Sequence, residues 1–132
     1  MVGGLGGLYY THALFAHHPA VIAIQVAAVL LMVAARITFG RRSFHAAANP
    51  TEGGLVTTGP YAYIRHPIYA AILYFVWAGA LDNVSLPACA WAGLITAGAI
   101  ARMLMEEHML VDRYPAYADY TRRVRRVMPF VV

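Results

Sequence analysis

Residues 65–82 read RHPIYAAILYFVWAGALD. An arginine, a histidine and a proline stand directly before an uncharged run, and Asp82 closes it. The apolar part, 67–81, has fifteen residues. As a helix it rises about 22 Å, against a bilayer hydrocarbon core of about 30 Å. The run is short for a crossing, and whether it crosses decides the fold.

The neighbouring runs qualify by length. Residues 19–35, PAVIAIQVAAVLLMVAA, have Gln25 as their one polar member, and residues 83–101 add a third run without charge. A span takes about 20 residues, with about 17 as the lower end. The arginines then decide the short run. Arg36, Arg41, Arg42 and Arg65 lie between runs one and two. Arg102, Arg113, Arg122, Arg123, Arg125 and Arg126 follow run three. If all three runs cross, every arginine falls on one side. The positive-inside rule then puts the N-terminus and the 82–87 turn outside and the C-terminus in the cytoplasm.

The predicted fold is all-α. It is an integral membrane helical bundle of one domain, 1–132, with three transmembrane helices at approximately 17–37, 67–82 and 85–107. A cytoplasmic loop spans 38–66, and an amphipathic cytoplasmic segment, 108–132, ends the chain. The sequence leaves open whether residues 1–16 belong to the membrane part.

Composition agrees with a membrane protein: 61% of residues are apolar and 12% charged, where soluble domains are about half apolar and about a quarter charged. All ten basic residues are arginine. Guanidinium groups suit carboxylates and lipid phosphates, and so apolar a chain argues against nucleic acid as partner. The Arg-only, Ala-rich usage points to a GC-rich bacterial or archaeal genome, hence to a bacterial or archaeal cytoplasmic membrane. Cys89 is the sole cysteine, which leaves no intrachain disulfide and no cysteine-based metal site. The N-terminal stretch has no positive charge before its apolar part and does not read as a cleavable signal.

The shortness of run two bears on chemistry. It sets Arg65 and His66 below the headgroup level, where polar groups must be paired or line a hydrated cavity. Glu106 and Glu107 stand at the end of helix three, a position the helix dipole disfavours for anions. Arg102 is four residues before Glu106 and can pair with it. Helices two and three share a short turn, so they are expected as antiparallel neighbours, and the two polar clusters should meet. Carboxylates and the rings of nearby tyrosines suit a zwitterionic ligand with a cationic centre.

Two stretches carry a family resemblance: LVTTGPYAYIRHPIYAA (55–71) and EEHMLVDRYPAYADYTRRVRRVMP (106–129). Together they resemble the isoprenylcysteine carboxyl methyltransferase family, within the wider phospholipid-methyltransferase-like group of integral membrane enzymes. The similarity covers residues 28–129. It implies S-adenosylmethionine as methyl donor, with Gly59, Tyr61, His66, Pro67, Tyr69, Glu106 and Glu107 as cofactor-binding candidates. Arg65, Tyr117 and Arg126 are the implied substrate-orienting residues, and Arg65, Glu106, Glu107 and Arg126 the catalytic group, with no metal. The implied acceptor is a lipophilic small molecule or prenylated substrate reached from the bilayer. An isoprenylcysteine-type carboxylate, a lipid amine and a thiol all stay open. Two positions depart from the family's pattern. Ala71 stands where glycine is common, which bears on helix packing, and Tyr114-Pro115 stands where Phe-Gly is common, which bears on the bend of the last segment.

Two rivals remain at this stage. One is an NADPH-dependent membrane reductase of the sterol-reductase type, which shares the Arg-His-Pro element but commonly continues with Asn before the tyrosine; here Ile68 stands there. The other is a non-catalytic lipid-binding protein on the same scaffold. Among single residues, Gln25 is expected in interhelical hydrogen bonding, Gly93 and Gly98 in close helix contact, and Trp77 and Trp91 in packing or facing lipid. Tyr9 and Tyr10 suit an aromatic belt, and Arg41 and Arg42 suit headgroups. His12, His17 and His18 read as interfacial residues with no carboxylate nearby, and His45 as a solvated loop residue. Oligomeric state is not given by the sequence.

Overall fold

A computed structural model describes residues 2–40 and 55–129. The readings made for Arg41, Arg42 and His45 fall outside the described residues. Five helices follow one another: α1 (Val2–Tyr10), α2 (Pro19–Phe39), α3 (Pro67–Asp82), α4 (Leu86–Arg113) and α5 (Tyr117–Arg123). A single-turn 3-10 helix, Gly59–Ala62, precedes α3.

Local chemistry sets the helix ends. Pro19 and Pro67 open α2 and α3, where the missing proline N–H is not needed. The Ser85 hydroxyl caps α4 by accepting from the Ala88 N–H at 3.2 Å. Helix α4 runs six residues past the expected limit of 107, because nothing between Glu107 and Arg113 breaks it. It stops where Tyr114 turns extended (φ −122°, ψ 105°), the conformation that Pro115 imposes on the residue before it.

Helices α2 and α4 are each long and apolar enough to cross a membrane, and α3 is a shorter apolar helix. Their exteriors distinguish them from soluble core helices. Ile24, Leu30 and Ile37 of α2 are 51%, 64% and 75% exposed, a surface that lipid covers and water would not tolerate. The chain is an all-helical membrane bundle, and among the described residues only an isolated bridge between Ile64 and Arg125 has β geometry.

The helices alternate in direction. The end of α2 meets the start of α3, where Phe39 stacks on Tyr61 with ring centroids 5.6 Å apart. At the opposite pole Asp82, closing α3, accepts the backbone N–H groups of His17 and His18, and His18 Nδ1 lies 2.5 Å from its Oδ1. This corrects the expectation of no carboxylate near His17 and His18, which chain order hides because Asp82 is more than sixty residues away. Along α3 and α4, Trp77 Nε1 donates to Thr96 Oγ1 at 2.9 Å.

Residues 2–16 join the bundle. Leu8 and Ala13 are fully buried in one core with Val76, Ala80, Ala92 and Ile95. Close approach falls on glycines other than Gly93 of α4. A Cβ on Gly79 would strike the carbonyl oxygens of Ala13 and Leu14, one on Gly7 the Trp91 indole, whereas one on Gly93 would meet open space. Gln25 is the interhelical link the sequence led us to expect. It is 5% exposed; its Oε1 accepts from the Ala16 N–H at 3.0 Å and its Nε2 donates to the carbonyls of Leu14 (2.8 Å) and Phe75 (3.1 Å). Gln25→Leu strands the buried Ala16 N–H. We expect a loss of about 1–3 kcal/mol, read as a lower thermal midpoint in detergent.

Candidate active site

Every described arginine lies at the pole where α2 ends and α3 begins. Arg65, His66 and Pro67 sit at the mouth of α3, and Arg102, Glu106 and Glu107 face them from α4. The last stretch, residues 117–128, folds back over both. Its backbone docks beside the α3 mouth: Arg65 N–H donates to the Arg125 carbonyl at 2.6 Å and His66 N–H to that of Arg126 at 2.9 Å.

Glu107 is the hub. Its Oε1 lies 3.1 Å from Arg65 Nη2 and 3.0 Å from His66 Nε2. Arg126 grips the same carboxylate with Nε at 3.2 Å from both oxygens and Nη2 at 3.0 Å from Oε2. The inner side of the cluster is dry, with the side chains of Arg65, His66 and Glu107 at 8%, 4% and 12% exposed, whereas Arg126 is 43% exposed. Two guanidiniums and an imidazole around one carboxylate make a charge-assisted network of the strong kind. The bonds to Glu107 also raise the affinity of Arg126 for its proton.

Glu106 is differently placed. Tyr69 donates its hydroxyl to Oε1 at 2.5 Å and accepts from Arg102 Nε at 2.9 Å. Arg102 Nη2 is 3.9 Å from the same oxygen. Glu106 Oε2 lies 3.8 Å from His66 Nδ1, beyond hydrogen-bonding reach. The sequence led us to expect Arg102 beside Glu106. Its spacing to Glu106 was visible; its bond to Tyr69 was not.

Tyr117 and Tyr120 pack together with Val124 beneath this network. Tyr120 donates to the Tyr61 carbonyl at 2.5 Å. Burial raises both phenols, Tyr120 up to about 12 and Tyr117 further, with the Glu107 charge adding to Tyr117. Both are therefore neutral O–H donors at physiological pH. Two buried donor groups have no partner among the described residues: Arg65 Nε and the Tyr117 hydroxyl. An unmet buried donor costs about 1–3 kcal/mol, and an acceptor oxygen within reach of either group would relieve it.

The structure thus brings together Arg65, His66, Tyr69, Glu106, Glu107 and Arg126, with Tyr117 packed below. Gly59 and Tyr61 stand further out, at the seam between α2 and the last segment. Gly59 has φ +57°, and a Cβ there would crowd Thr38 Oγ1 at 2.7 Å, so it is glycine for both conformation and space. Pro67 is buried in the first turn of α3. Residues the sequence did not single out also matter. Tyr74 donates to the Val127 carbonyl, and the Thr121 carbonyl accepts from Arg65 Nη1 at 3.0 Å. Neither has a sequence signature, because each works through a backbone group far along the chain.

A family model for phospholipid methyltransferases matches residues 21–117. That range holds α2, α3 and α4 and all but the last arm of the cluster. The chain belongs to the phospholipid methyltransferase family. The two motifs at the α3 mouth and the α4 end led us to expect this wider group. A curated relative, the nickel-cobalt-cadmium resistance protein NccN of Alcaligenes xylosoxydans xylosoxydans, is 37% identical over 78 residues. The match takes in 57% of this chain and 36% of that protein, so the chain spans about a third of the relative's length.

Proposed function

We propose that this protein is a membrane methyltransferase that uses S-adenosylmethionine and transfers the methyl group to a lipophilic acceptor at the membrane. The carrying observation is the junction of the α3 mouth with the α4 end. It joins a carboxylate with an open oxygen, Glu106 Oε2, to unmet donors at Arg65 Nε and Tyr117. A donor molecule bearing a sulfonium cation and a carboxylate fits that pair of unmet needs. When bound, it supplies an activated methyl group on a good leaving group. His66, Tyr69 and Glu106 would hold it, with Glu107 behind them on α4 and Pro67 shaping the α3 mouth. Gly59 and Tyr61 would act one step removed, fixing the seam to α2.

The chain's own part is to orient the two reactants and keep water out. A carboxylate acceptor arrives ionised and needs no base. An amine or thiol acceptor must lose a proton, and Glu106 or His66 is positioned to take it. With Arg65 and Tyr117 given to the methyl donor's carboxylate, Arg126 is the candidate for orienting the acceptor's anionic group. An apolar cavity of about 200 Å³ lies between α1, α2 and α3, with Ala28, Met32, Ala71 and Phe75 among its lining. It is an open groove lined by apolar side chains, which suits a hydrocarbon chain. This supports a lipophilic acceptor, an isoprenylcysteine-type carboxylate among them. With the arginine-rich pole in the cytoplasm, the polar donor would enter from there and the acceptor from the bilayer.

The test is a transfer assay with labelled S-adenosylmethionine on detergent-purified protein, against lipophilic carboxylates, amines and thiols. Label should appear in at least one class. No transfer to any class, with the protein folded, would count against the proposal.

A further inference from the structure

The adjacent glutamates have opposite surroundings. Both oxygens of Glu107 are engaged, by Arg65, His66 and Arg126. A ligand cation would have to displace one of those groups to reach it. Glu106 has one engaged oxygen and one without a hydrogen bond, and at 25% its side chain is about twice as exposed. The partners of Glu107 also share a feature. Arg126 belongs to the last segment, and Arg65 reaches that segment through Thr121 while His66 does so through its own backbone N–H.

We infer that Glu107 is a positioning residue that clasps segment 117–128 over the site through Arg65, His66 and Arg126, while Glu106 is the carboxylate that meets the ligand's cationic centre. The second half rests on the proposed use of S-adenosylmethionine; the clasp does not. The helix dipole explains the division. A carboxylate at the end of α4 is disfavoured, and Glu107 is held there by cations of this chain. The cation that compensates Glu106 is only partly supplied by Arg102, at 3.9 Å.

The experiment compares binding of S-adenosylmethionine, a sulfonium cation, with S-adenosylhomocysteine, its neutral thioether, by calorimetry on the detergent-purified chain. Limited trypsinolysis runs beside it, because Arg122, Arg123 and Arg125 of the segment are exposed. Glu106→Gln should weaken the sulfonium roughly tenfold more than the thioether and leave cleavage unchanged. Glu107→Gln should weaken both ligands by one common factor and speed cleavage after Arg122 or Arg123 several-fold. Arg126→Ala, which opens the clasp from the other side, should reproduce Glu107→Gln, and the double variant should be no worse than either. The inference is overturned if Glu107→Gln selects against the sulfonium, or if it leaves the segment as protected as in the parent chain. If the parent chain binds neither ligand, the Glu106 assignment falls with the cofactor proposal, and the cleavage rates still decide the clasp.

Discussion

Glu107→Leu should be the most damaging single substitution for stability. It removes the one carboxylate shared by Arg65, His66 and Arg126. The Arg65 guanidinium stays 8% exposed with its countercharge gone. Breaking a buried ion pair from one side costs about 3–5 kcal/mol, because the remaining charge is left desolvated. A stability of about 5–15 kcal/mol cannot absorb that easily. We expect a large drop in thermal midpoint and aggregation during purification. Glu107→Gln keeps an acceptor oxygen for the guanidiniums and should lose much less. A Leu variant within about 1 kcal/mol of the parent, near the worth of an exposed pair, would mean that the network adds nothing to folding.

Glu106→Ala should have the largest effect on methyl transfer with the fold intact. Tyr69 loses its acceptor but keeps the Arg102 contact, and the side chain is one-quarter exposed, so the bundle can adjust. The ligand's cationic centre would then lack its countercharge. A charge-assisted contact is worth about 1.5–3 kcal/mol, which corresponds to a loss of roughly 10- to 150-fold in kcat/KM. Steady-state assays with labelled donor measure it. Unchanged kcat/KM would remove Glu106 from the site.

Much of this was legible in the sequence because it rests on local order. The arginine distribution separated the two poles, and the antiparallel pairing of runs two and three followed from their short turn. From those two readings came the meeting of His66 and Tyr69 with Glu106 and Glu107. Gln25, alone in an apolar run, was expected in interhelical hydrogen bonding, and it is there. What stayed hidden depends on backbone groups or on distant partners. The Asp82 contact to His17 and His18 joins opposite ends of two helices. Tyr74 acts on a carbonyl 53 residues away. The packing of residues 2–16 turns on Gly4, Gly7 and Gly79 meeting particular neighbours, which no periodicity reveals. The unequal surroundings of Glu106 and Glu107 are likewise a matter of side-chain direction, since neighbours in a helix point about 100° apart.

The central claim is that the mouth of α3 and the end of α4 form one binding site for S-adenosylmethionine. Calorimetric titration of the detergent-purified chain with S-adenosylmethionine, and in parallel with NADPH, tests it most directly. The account predicts saturable binding of S-adenosylmethionine at one site per chain, weakened by Glu106→Ala, and no binding of NADPH. Saturable binding of NADPH, or no heat with S-adenosylmethionine from folded protein, would contradict it.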